Sequence, residues 1–525
     1  MKFNPLKMLN PDVFEHSVAN LELIETHISW VILTGDFVYK IKKPVNFGFL
    51  DFSSLEKRRN YCEQEVRLNR RLAPALYLGV VPISGTVDEP VINGNGKAYE
   101  YAVKMVQFPQ SAQLDNKLAA GELGVEHMDA IAQMVANFHA TTAVASSFAN
   151  NSVKSSVNYG SKEIIKKPVI ENFELISAHF DTSKYAKELI GLKQWSDKEF
   201  VRLEAIIEQR KTDGFIRECH GDMHLRNLVW LDNKPLAFDC IEFNPELRWI
   251  DVISEVAFLI MDLQDRQQHL LAHHFLNSYL EKTGDYAGLS VLPFYLCYRA
   301  MVRAKVDALR IGQKDIDELE RKSQLTEFES YLSLATRYTR PPEPKLIIMR
   351  GLSASGKSTV SQKLLDELGA IRLRSDIERK RLFDISADNN TTSNEIDTGI
   401  YSTKASQRTY EKLAELALNI LNAGFSVIVD ATFLKLEQRE IFQAIAKRMD
   451  VPYLILEVKA STEVLRERIV ARKNDVSDAD LKVLEHQLIN YQQLNDEELS
   501  IAISINTEHV LDIDSLVNSI NRVSR

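Results

Sequence analysis

Apolar and polar residues alternate in short segments near the start of the chain, and this pattern predicts β-strands. Segments 29–34 and 37–42 flank Gly35-Asp36, a turn sequence that favours a β-hairpin. Segment 98–108 has the same character. Strand-type patterning therefore dominates the first hundred residues of the chain.

Two other parts of this region have helical spacing. Residues 54–72 place charged side chains on one side of a helix and apolar side chains on the other, and helical spacing dominates from Gly124 onward. Strands thus come before helices, which predicts an α+β fold in two lobes rather than alternating βαβ units.

The last third of the chain alternates between strand-type and helix-type segments instead. This order is typical of a parallel sheet with crossover helices. The strand-type runs are 345–349, 371–376, 425–430 and 453–458, and the longest helix-type segment is 403–422.

A proline-rich segment separates the two patterns. Three of the four residues at 341–344 are prolines, which cannot continue a helix. A chain of 525 residues is also too long for a single core. We therefore predict a first domain at 1–335, a linker at 336–344 and a second domain at 345–525.

Composition narrows the class of protein. The net charge of −9 argues against a general binder of nucleic acid or membrane surfaces. Cys62, Cys219, Cys240 and Cys297 are scattered, which suggests neither a disulfide framework nor a zinc site. Because no apolar signal core follows the start of the sequence and no apolar run approaches the length of a membrane span, we expect a cytoplasmic protein.

Segment 351–359 carries the first specific chemistry. It reads G-L-S-A-S-G-K-S-T, which fits the P-loop pattern between a strand-type and a helix-type run. Its backbone N–H groups would cradle phosphate oxygens, Lys357 would reach the β- and γ-phosphates of ATP, and Ser358 would bind Mg²⁺. The predicted nucleotide-binding residues are Gly351, Ser353, Ala354, Ser355, Gly356, Lys357, Ser358 and Thr359.

Three further features accompany the P-loop. Asp430 ends a buried-type strand, where a carboxylate meets Mg²⁺. Asp376 follows the second strand and Arg379 comes three residues later, a spacing that faces the γ-phosphate side of a P-loop kinase. Arginines in the helix-type segment 462–472 have the positions of a lid that closes over the phosphate, namely Arg466, Arg468 and Arg472.

Residues 344–500 together resemble the small P-loop kinases of the zeta-toxin, chloramphenicol phosphotransferase and polynucleotide kinase group. The resemblance implies that Asp376 is the general base, that Arg379 holds the acceptor and that Arg472 is the lid arginine. It also makes Arg439 a candidate for substrate binding. The alternative for Arg466 and Arg468 is an exposed helix face.

A second set of residues lies upstream, in the sequence H-G-D-M-H-L-R-N at 220–227. An acid at 222, an amide at 227 and a second acid at 239, after a strand-type run, form a set suited to phosphoryl transfer with two Mg²⁺ ions. One carboxylate would orient and deprotonate an alcohol, while the amide oxygen and the other carboxylate would hold the metal on ATP.

This segment resembles the H-G-D-x-H-x-x-N loop of the aminoglycoside phosphotransferase and choline kinase family, relatives of the protein kinases. The resemblance covers residues 20–330 and implies that Asp222 is the catalytic base and that Asn227 and Asp239 are Mg²⁺ ligands. It further implies an ATP-phosphate lysine at Lys40, paired with Glu65. Lys42 and Glu63 are the alternatives for that pair.

Other polar residues near this loop are expected to support it, and one of them has two alternative roles. His220 and His224 are expected to brace the loop, and Asp251 to cap or brace it. Glu242 could contact a cationic substrate or be a surface carboxylate.

The whole arrangement resembles bacterial fusions of an aminoglycoside phosphotransferase-like domain with a C-terminal ATP-binding domain. It predicts a two-headed phosphotransferase that uses ATP and Mg²⁺ on small hydroxyl acceptors. Two alternatives remain open: one head senses ATP and regulates the other, or the C-terminal head phosphorylates the 5′-hydroxyl of RNA through the basic run at 372–381. The acceptors, the choice between ATP and GTP and the oligomeric state do not follow from the residues.

Overall fold

The computed structural model describes residues 3–46, 50–145, 158–313, 316–383, 402–471 and 481–523. Contacts divide the chain into two compact units. The first comprises Met1–Asp262 and Tyr298–Tyr331, and the second comprises Leu263–Cys297 and Leu332–Arg525. Segment 263–297 therefore groups with the residues that follow the proline-rich linker. The predicted division of the chain at 336–344 stays a prediction.

An antiparallel sheet dominates the start of the first unit. In the part of the chain that the structure describes it has six strands in the order β1-β2-β3-β6-β4-β5. Leu33 pairs with Val38 across β2 and β3, which confirms the predicted hairpin. The strands are β1 (Glu22–Glu25), β2 (Ser29–Leu33), β3 (Phe37–Lys42), β4 (Tyr77–Gly85), β5 (Pro90–Ile92) and β6 (Glu100–Val106).

One α-helix lies between β3 and β4, and the other α-helices described in this unit follow the sheet. Helix α1 (Leu55–Asn69) packs Cys62 and Val66 against Val103 of β6. Two short ribbons carry the loops of interest, β7 (Ile216–Glu218) with β10 (Trp249–Asp251) and β8 (Leu228–Leu231) with β9 (Lys234–Ala237). The next helices are α2 (Leu114–Ala119), α3 (Val125–Thr141), α4 (Lys162–His179), α5 (Ala186–Thr212), α6 (Val252–Asp265), α7 (His269–Thr283), α8 (Leu292–Ile311) and α9 (Glu318–Tyr338).

The second unit contains a parallel sheet in the order β12-β13-β11-β14-β15. Its strands are β11 (Leu346–Arg350), β12 (Ile371–Arg374), β13 (Val427–Asp430), β14 (Tyr453–Lys459) and β15 (Ala502–Asn506). Its remaining helices are α10 (Lys357–Leu368), α11 (Ser375–Leu382), α12 (Thr403–Asn422), α13 (Leu436–Met449), α14 (Thr462–Ala471), α15 (Leu481–Ile489), α16 (Asp496–Ser500) and α17 (Ile513–Arg522). The predicted fold classes are thus confirmed: an α+β fold with an antiparallel sheet in the first unit, and an α/β fold with a P-loop and a parallel sheet in the second.

Helix α7 covers the edge strand of this parallel sheet. The Asn277 amide nitrogen donates to the carbonyl oxygen of Ala370 (3.0 Å), and its oxygen accepts the backbone N–H of Arg372 (2.8 Å). An uncovered edge strand would present these groups to solvent and to other chains. A segment from the middle of the sequence therefore completes the edge of the second unit's sheet.

Among the described residues, no helix has the length and apolar character needed to cross a membrane.

Candidate active sites

Two lysines of β3 meet one carboxylate of α1. Lys40 Nζ lies 2.9 Å from Glu65 Oε1, and Lys42 Nζ lies 2.6 Å from Glu65 Oε2. Lys40 also pairs with Asp239, and Lys42 pairs with Glu242. The strand places both lysines on one face because side chains two residues apart point the same way.

Exposure distinguishes the two lysines. The Lys40 side chain is 14% exposed and lines a cavity of about 1310 Å³, whereas the Lys42 side chain is 1% exposed. Glu63, the alternative to Glu65, forms an ion pair with Arg59 on the solvent side of α1. The geometry thus favours Lys40 and Glu65 as the phosphate pair and gives Lys42 a buried structural role.

The buried acids respond to these lysines in opposite directions. Burial raises the pKa of Glu65, but Lys40 and Lys42 outweigh burial and bring the pKa to about 2. For Glu242 burial prevails over Lys42, so its pKa is raised. Glu242 is 5% exposed and paired, so it is not a surface carboxylate.

The loop between β7 and β8 places the predicted catalytic acid at the cavity. The Asn227 amide nitrogen donates to the Asp222 carbonyl oxygen (2.9 Å) and to its Oδ2 (3.0 Å). His224 Nε2 lies 3.4 Å from Asp222 Oδ2. Burial raises the pKa of Asp222, but His224 and His220 outweigh it and hold that pKa below its usual range. Asp222 is therefore ionised at neutral pH.

His220 braces this loop from inside. Its Nδ1 accepts the backbone N–H of Asp222 (3.3 Å), and its Nε2 lies 2.8 Å from the carbonyl oxygen of Phe238. Burial lowers the pKa of His220, so a neutral ring with the proton on Nε2 fits both contacts. Asp251 binds Arg210 at 2.7 Å and also accepts the backbone N–H of Ile253.

Asp239 completes the set from the end of β9. Its backbone has φ 63°, a left-handed conformation that is uncommon for a residue other than glycine. Its backbone N–H donates to the Tyr77 hydroxyl (3.1 Å). Asp222, Asp239 and Lys40 line one cavity, and Asn227 is hydrogen-bonded to Asp222. These oxygen ligands fit Mg²⁺, which prefers carboxylate and amide oxygens.

Two acids of α6 hold the loop and were missed in the sequence. Glu255 Oε1 accepts the backbone N–H groups of His220 (2.5 Å) and Gly221 (2.9 Å), and Asp262 accepts that of Leu225 (2.9 Å). Glu255 and Asp262 are seven residues apart, two turns of the helix, and all six residues between them are apolar. That spacing of acids within an apolar run is the signal that could have revealed them.

Glu255 also approaches His139 and Cys219 closely enough to suggest a metal site. However, Glu255 Oε2 lies 2.7 Å from His139 Nε2 and Oε1 already accepts two N–H groups. Burial raises the pKa of the Cys219 thiol well above its usual value, which disfavours the thiolate that metals bind. The contacts identify this cluster as a brace for the loop.

We expect Glu255→Gln to destabilise the first unit in a pH-dependent way. Burial raises the pKa of Glu255, but His139 and the loop N–H groups lower it to about 2 from an ordinary value of 4.5. The lowered pKa contributes about 3 kcal/mol above pH 4.5, and this stabilisation is lost as the pH falls toward 2. All four tryptophans lie in the first unit, so their fluorescence during urea unfolding reports on it. A difference between variant and wild type that stayed constant from pH 7 to pH 3 would contradict the assignment.

In the second unit, the P-loop joins β11 to α10. Gly351 has φ 152° and a Cβ there would collide with the carbonyl oxygen of Val458, and Gly356 has φ 94°. Lys357 Nζ donates to the carbonyl oxygen of Leu352 (2.8 Å). The predicted loop is therefore a tight cradle that admits only glycine at 351.

The acids and the P-loop line one cavity of about 680 Å³. Its wall includes Lys357, Ser358, Asp376, Arg379 and Asp430. Ser361 Oγ donates to Asp430 Oδ2 (3.0 Å), which fixes that carboxylate beside the start of α10. The Ser358 hydroxyl and the Asp430 carboxylate both line this cavity, and oxygen ligands of these kinds fit Mg²⁺.

The predicted arginines have different environments. Arg379 lines the cavity, and Arg472 lies outside the described residues. Arg466 pairs with Glu485 at the surface (2.7 Å). Arg468 donates to the carbonyl oxygens of Ala354 (3.3 Å) and Thr507 (2.8 Å), so it holds the P-loop backbone.

Two expectations for arginines do not fit the structure. Arg439 is 1% exposed and binds Glu498 (2.5 Å), so burial keeps it from a substrate. Arg372 of the basic run is 5% exposed and binds Glu281 (2.7 Å). Burial and pairing remove Arg372 from the surface that nucleic acid would need.

Comparisons with known proteins find a family match in the second unit and a relative that is similar along most of the chain. Residues 346–494 match the model of the family described as AAA domain. An uncharacterized protein of Mycobacterium tuberculosis is 29% identical over 464 residues, which is 88% of this chain and 88% of that protein. The similarity to this relative therefore extends through both units.

Two solved kinases are among the similar structures. An amicoumacin kinase in complex with AMP-PNP, Ca²⁺ and Ami is 12% identical and covers 63% of this chain and 90% of its own, with a TM-score of 0.38. A putative kinase from Chloroflexus aurantiacus is 22% identical and covers 35% of this chain and 100% of its own, with a TM-score of 0.29. The chain joins a unit built on an antiparallel sheet to a P-loop domain that matches the AAA-domain family model over 346–494.

Proposed function

We propose that this protein is a two-headed phosphotransferase that uses ATP and Mg²⁺, each head transferring the γ-phosphate to a hydroxyl acceptor. The observation that carries the proposal is the convergence of two sets of residues, each at one cavity. In the first set, Lys40, Asp222 and Asp239 line the cavity and Asn227 is hydrogen-bonded to Asp222. In the second set, Lys357, Ser358, Asp376, Arg379 and Asp430 line the cavity.

In the first head, Asp222 is ionised and its side chain is 35% exposed to the cavity. It accepts a hydrogen bond from the acceptor's hydroxyl and takes its proton as the hydroxyl oxygen bonds to the γ-phosphorus. The bond from that phosphorus to the bridging oxygen breaks, and ADP leaves with the electron pair. Lys40 holds the phosphates, and Mg²⁺ bound by Asn227 and Asp239 would supply charge neutralisation.

In the second head, the P-loop backbone and Lys357 hold the phosphates. Asp376 takes the proton of the acceptor's hydroxyl, and Arg379 holds the acceptor, since both line the same cavity. Ser358 and Asp430 would hold Mg²⁺, which would neutralise the charge that develops on the leaving oxygen.

The charges in the first cavity favour an uncharged acceptor over a polycation. Of the described carboxylates that line it, Asp239 and Glu242 are paired with lysines and Asp222 has the catalytic role, which leaves Glu22. Leu175, Val306 and Leu309 form part of the wall. A polycationic acceptor would need further carboxylates to offset the cost of leaving water.

A screen of acceptors with the wild type, Asp222→Asn and Asp376→Asn tests the proposal. We expect each variant to abolish phosphorylation of a different acceptor, by at least about a thousandfold, because each removes one head's base and orienting group. ADP release and the mass increase of the acceptor are measured, with sugars, polyols, amino alcohols, aminoglycosides and a 5′-hydroxyl oligonucleotide as acceptors.

The same screen separates the alternatives. If only one variant affects any transfer, the other head regulates rather than catalyses. Transfer to the oligonucleotide that Asp376→Asn abolishes would establish an RNA-end kinase, and preferred phosphorylation of aminoglycosides by the first head would contradict the uncharged acceptor. Transfer to no acceptor, with tight ATP binding, would contradict the proposed activity itself.

A further inference from the structure

A carboxylate from helix α7 reaches the interior of the P-loop unit. Glu281 Oε1 accepts hydrogen bonds from Arg372 Nε (2.9 Å) and Nη2 (2.7 Å). The Arg372 side chain is 6% exposed and that of Glu281 is 14% exposed. Glu281 thus supplies the countercharge of an arginine that lies almost entirely inside the unit.

The third nitrogen of Arg372 turns toward the P-loop helix. Its Nη1 lies 3.4 Å from the carbonyl oxygen of Ser358 and 3.5 Å from Ser361 Oγ. Ser361 Oγ in turn donates to Asp430 Oδ2 (3.0 Å). This chain of contacts ends at Ser358 and Asp430, the two residues that would hold Mg²⁺.

Glu281 is itself held in place. The Arg381 guanidinium donates to the carbonyl oxygen of Glu281 (2.7 Å), and Asn277, one helical turn earlier, is bonded to β12. Arg374 Nη1 lies 3.9 Å from Glu281 Oε2 and also lines the cavity. One carboxylate therefore faces two arginines of β12, and its short contacts are with Arg372.

We propose that Glu281 is a positioning residue of the P-loop head, acting through Arg372 and Ser361 on the Mg²⁺ site. The inference rests on the proposed function of that head. Without the carboxylate, a buried cation stays beside Ser361 and competes for Asp430, which opposes the binding of a second cation. A segment that precedes the P-loop by about seventy residues would then set its affinity for Mg²⁺.

The test measures Mg²⁺-dependent binding of a fluorescent ADP analogue to the full chain. The signal that Lys357→Ala removes is assigned to the P-loop head. We expect Glu281→Gln to raise the Mg²⁺ concentration for half-maximal binding about tenfold, as for other residues that orient metal ligands. Binding in EDTA should be unchanged, and Glu281→Asp should fall between the wild type and Glu281→Gln. Equal half-maximal concentrations in Glu281→Gln and wild type would overturn the proposal.

Two controls distinguish positioning from general destabilisation. Glu415→Gln, which removes an exposed acid paired with Lys412, should match the wild type. In an Arg372→Met background the effect of Glu281→Gln should vanish, because the two residues act in series. An undiminished tenfold effect there, or an equal loss of affinity in EDTA, would overturn the proposal.

The response of the wild type to Mg²⁺ separates the proposed function of this head from the positioning role of Glu281. If it showed no Mg²⁺-dependent signal sensitive to Lys357→Ala, the proposed function of this head would fail, and the positioning role with it. If the wild type responded to Mg²⁺ and the Glu281 variants were unchanged, only the positioning role would fail.

Discussion

Lys42→Met is expected to lower the free energy of unfolding of the first unit by about 3–5 kcal/mol, and Lys40→Met to lower it by less, because Glu65 then keeps Lys42 as a partner. Lys42 is 1% exposed and is paired with Glu65 and Glu242, so its removal leaves buried carboxylates short of a partner. Lys40 lines the cavity, so its loss weakens ATP binding and transfer by the first head. Tryptophan fluorescence in urea measures the first effect and ATP turnover the second.

A second substitution identifies the cause of the Lys42 effect. Lys42→Met with Glu242→Gln should recover part of the lost stability, because removing both charges of a buried pair costs less than removing one. Lys57→Met, which affects an exposed lysine of α1 paired with Asp51, should cost less than about 1 kcal/mol. The assignment would be wrong if Lys40→Met destabilised the unit more than Lys42→Met.

A fragment comprising residues 341–525 is expected to be much less stable than the same residues in the full chain. The fragment lacks α7, so it loses the Asn277 bonds to β12 and leaves Arg372 without Glu281. The two lost hydrogen bonds cost about 2 kcal/mol, and the edge strand that α7 covers becomes open to water and to other chains. Because the whole stability of a domain is only about 5–15 kcal/mol, we expect a partly unfolded or aggregated fragment.

Circular dichroism on heating and size-exclusion chromatography measure this result. Asn277→Leu in the full chain removes only the two hydrogen bonds, and it should lower the free energy of unfolding of the second unit by about 2 kcal/mol. A monomeric fragment that binds the fluorescent nucleotide with the affinity of the full chain would contradict the expectation. It would also support the boundary at 336–344 that the linker predicts.

Local pattern was sufficient for most of the elements. Alternation around Gly35-Asp36 predicted the hairpin, and the apolar runs near 346, 427 and 453 predicted three strands of the parallel sheet. Helix 403–422 was predicted with the bounds that the structure has. These elements follow from interactions between neighbouring residues, which a single sequence displays directly.

Other strands and site residues could not be predicted, because their sequence signal is weak or is the same for two neighbouring residues. Strand β4 contains glycine and proline and β15 is mostly only partly buried, so neither has a clear strand period. Lys40 and Lys42 occupy equivalent positions on β3, and no local feature separates them. The tertiary structure separates them, because Lys42 is buried and Lys40 is exposed to the cavity.

The sequence by itself determined the fold class of each part and the residues that are candidates for phosphoryl transfer, because P-loop, strand and loop motifs are short and local. The tertiary structure alone decided which charges are paired. Lys42 meets Glu242 across 200 positions of sequence, and Arg372 meets Glu281 across 91. Nothing local encodes such partners, since they are selected by the low dielectric and tight packing of the interior, where a charge needs a partner within about 3 Å.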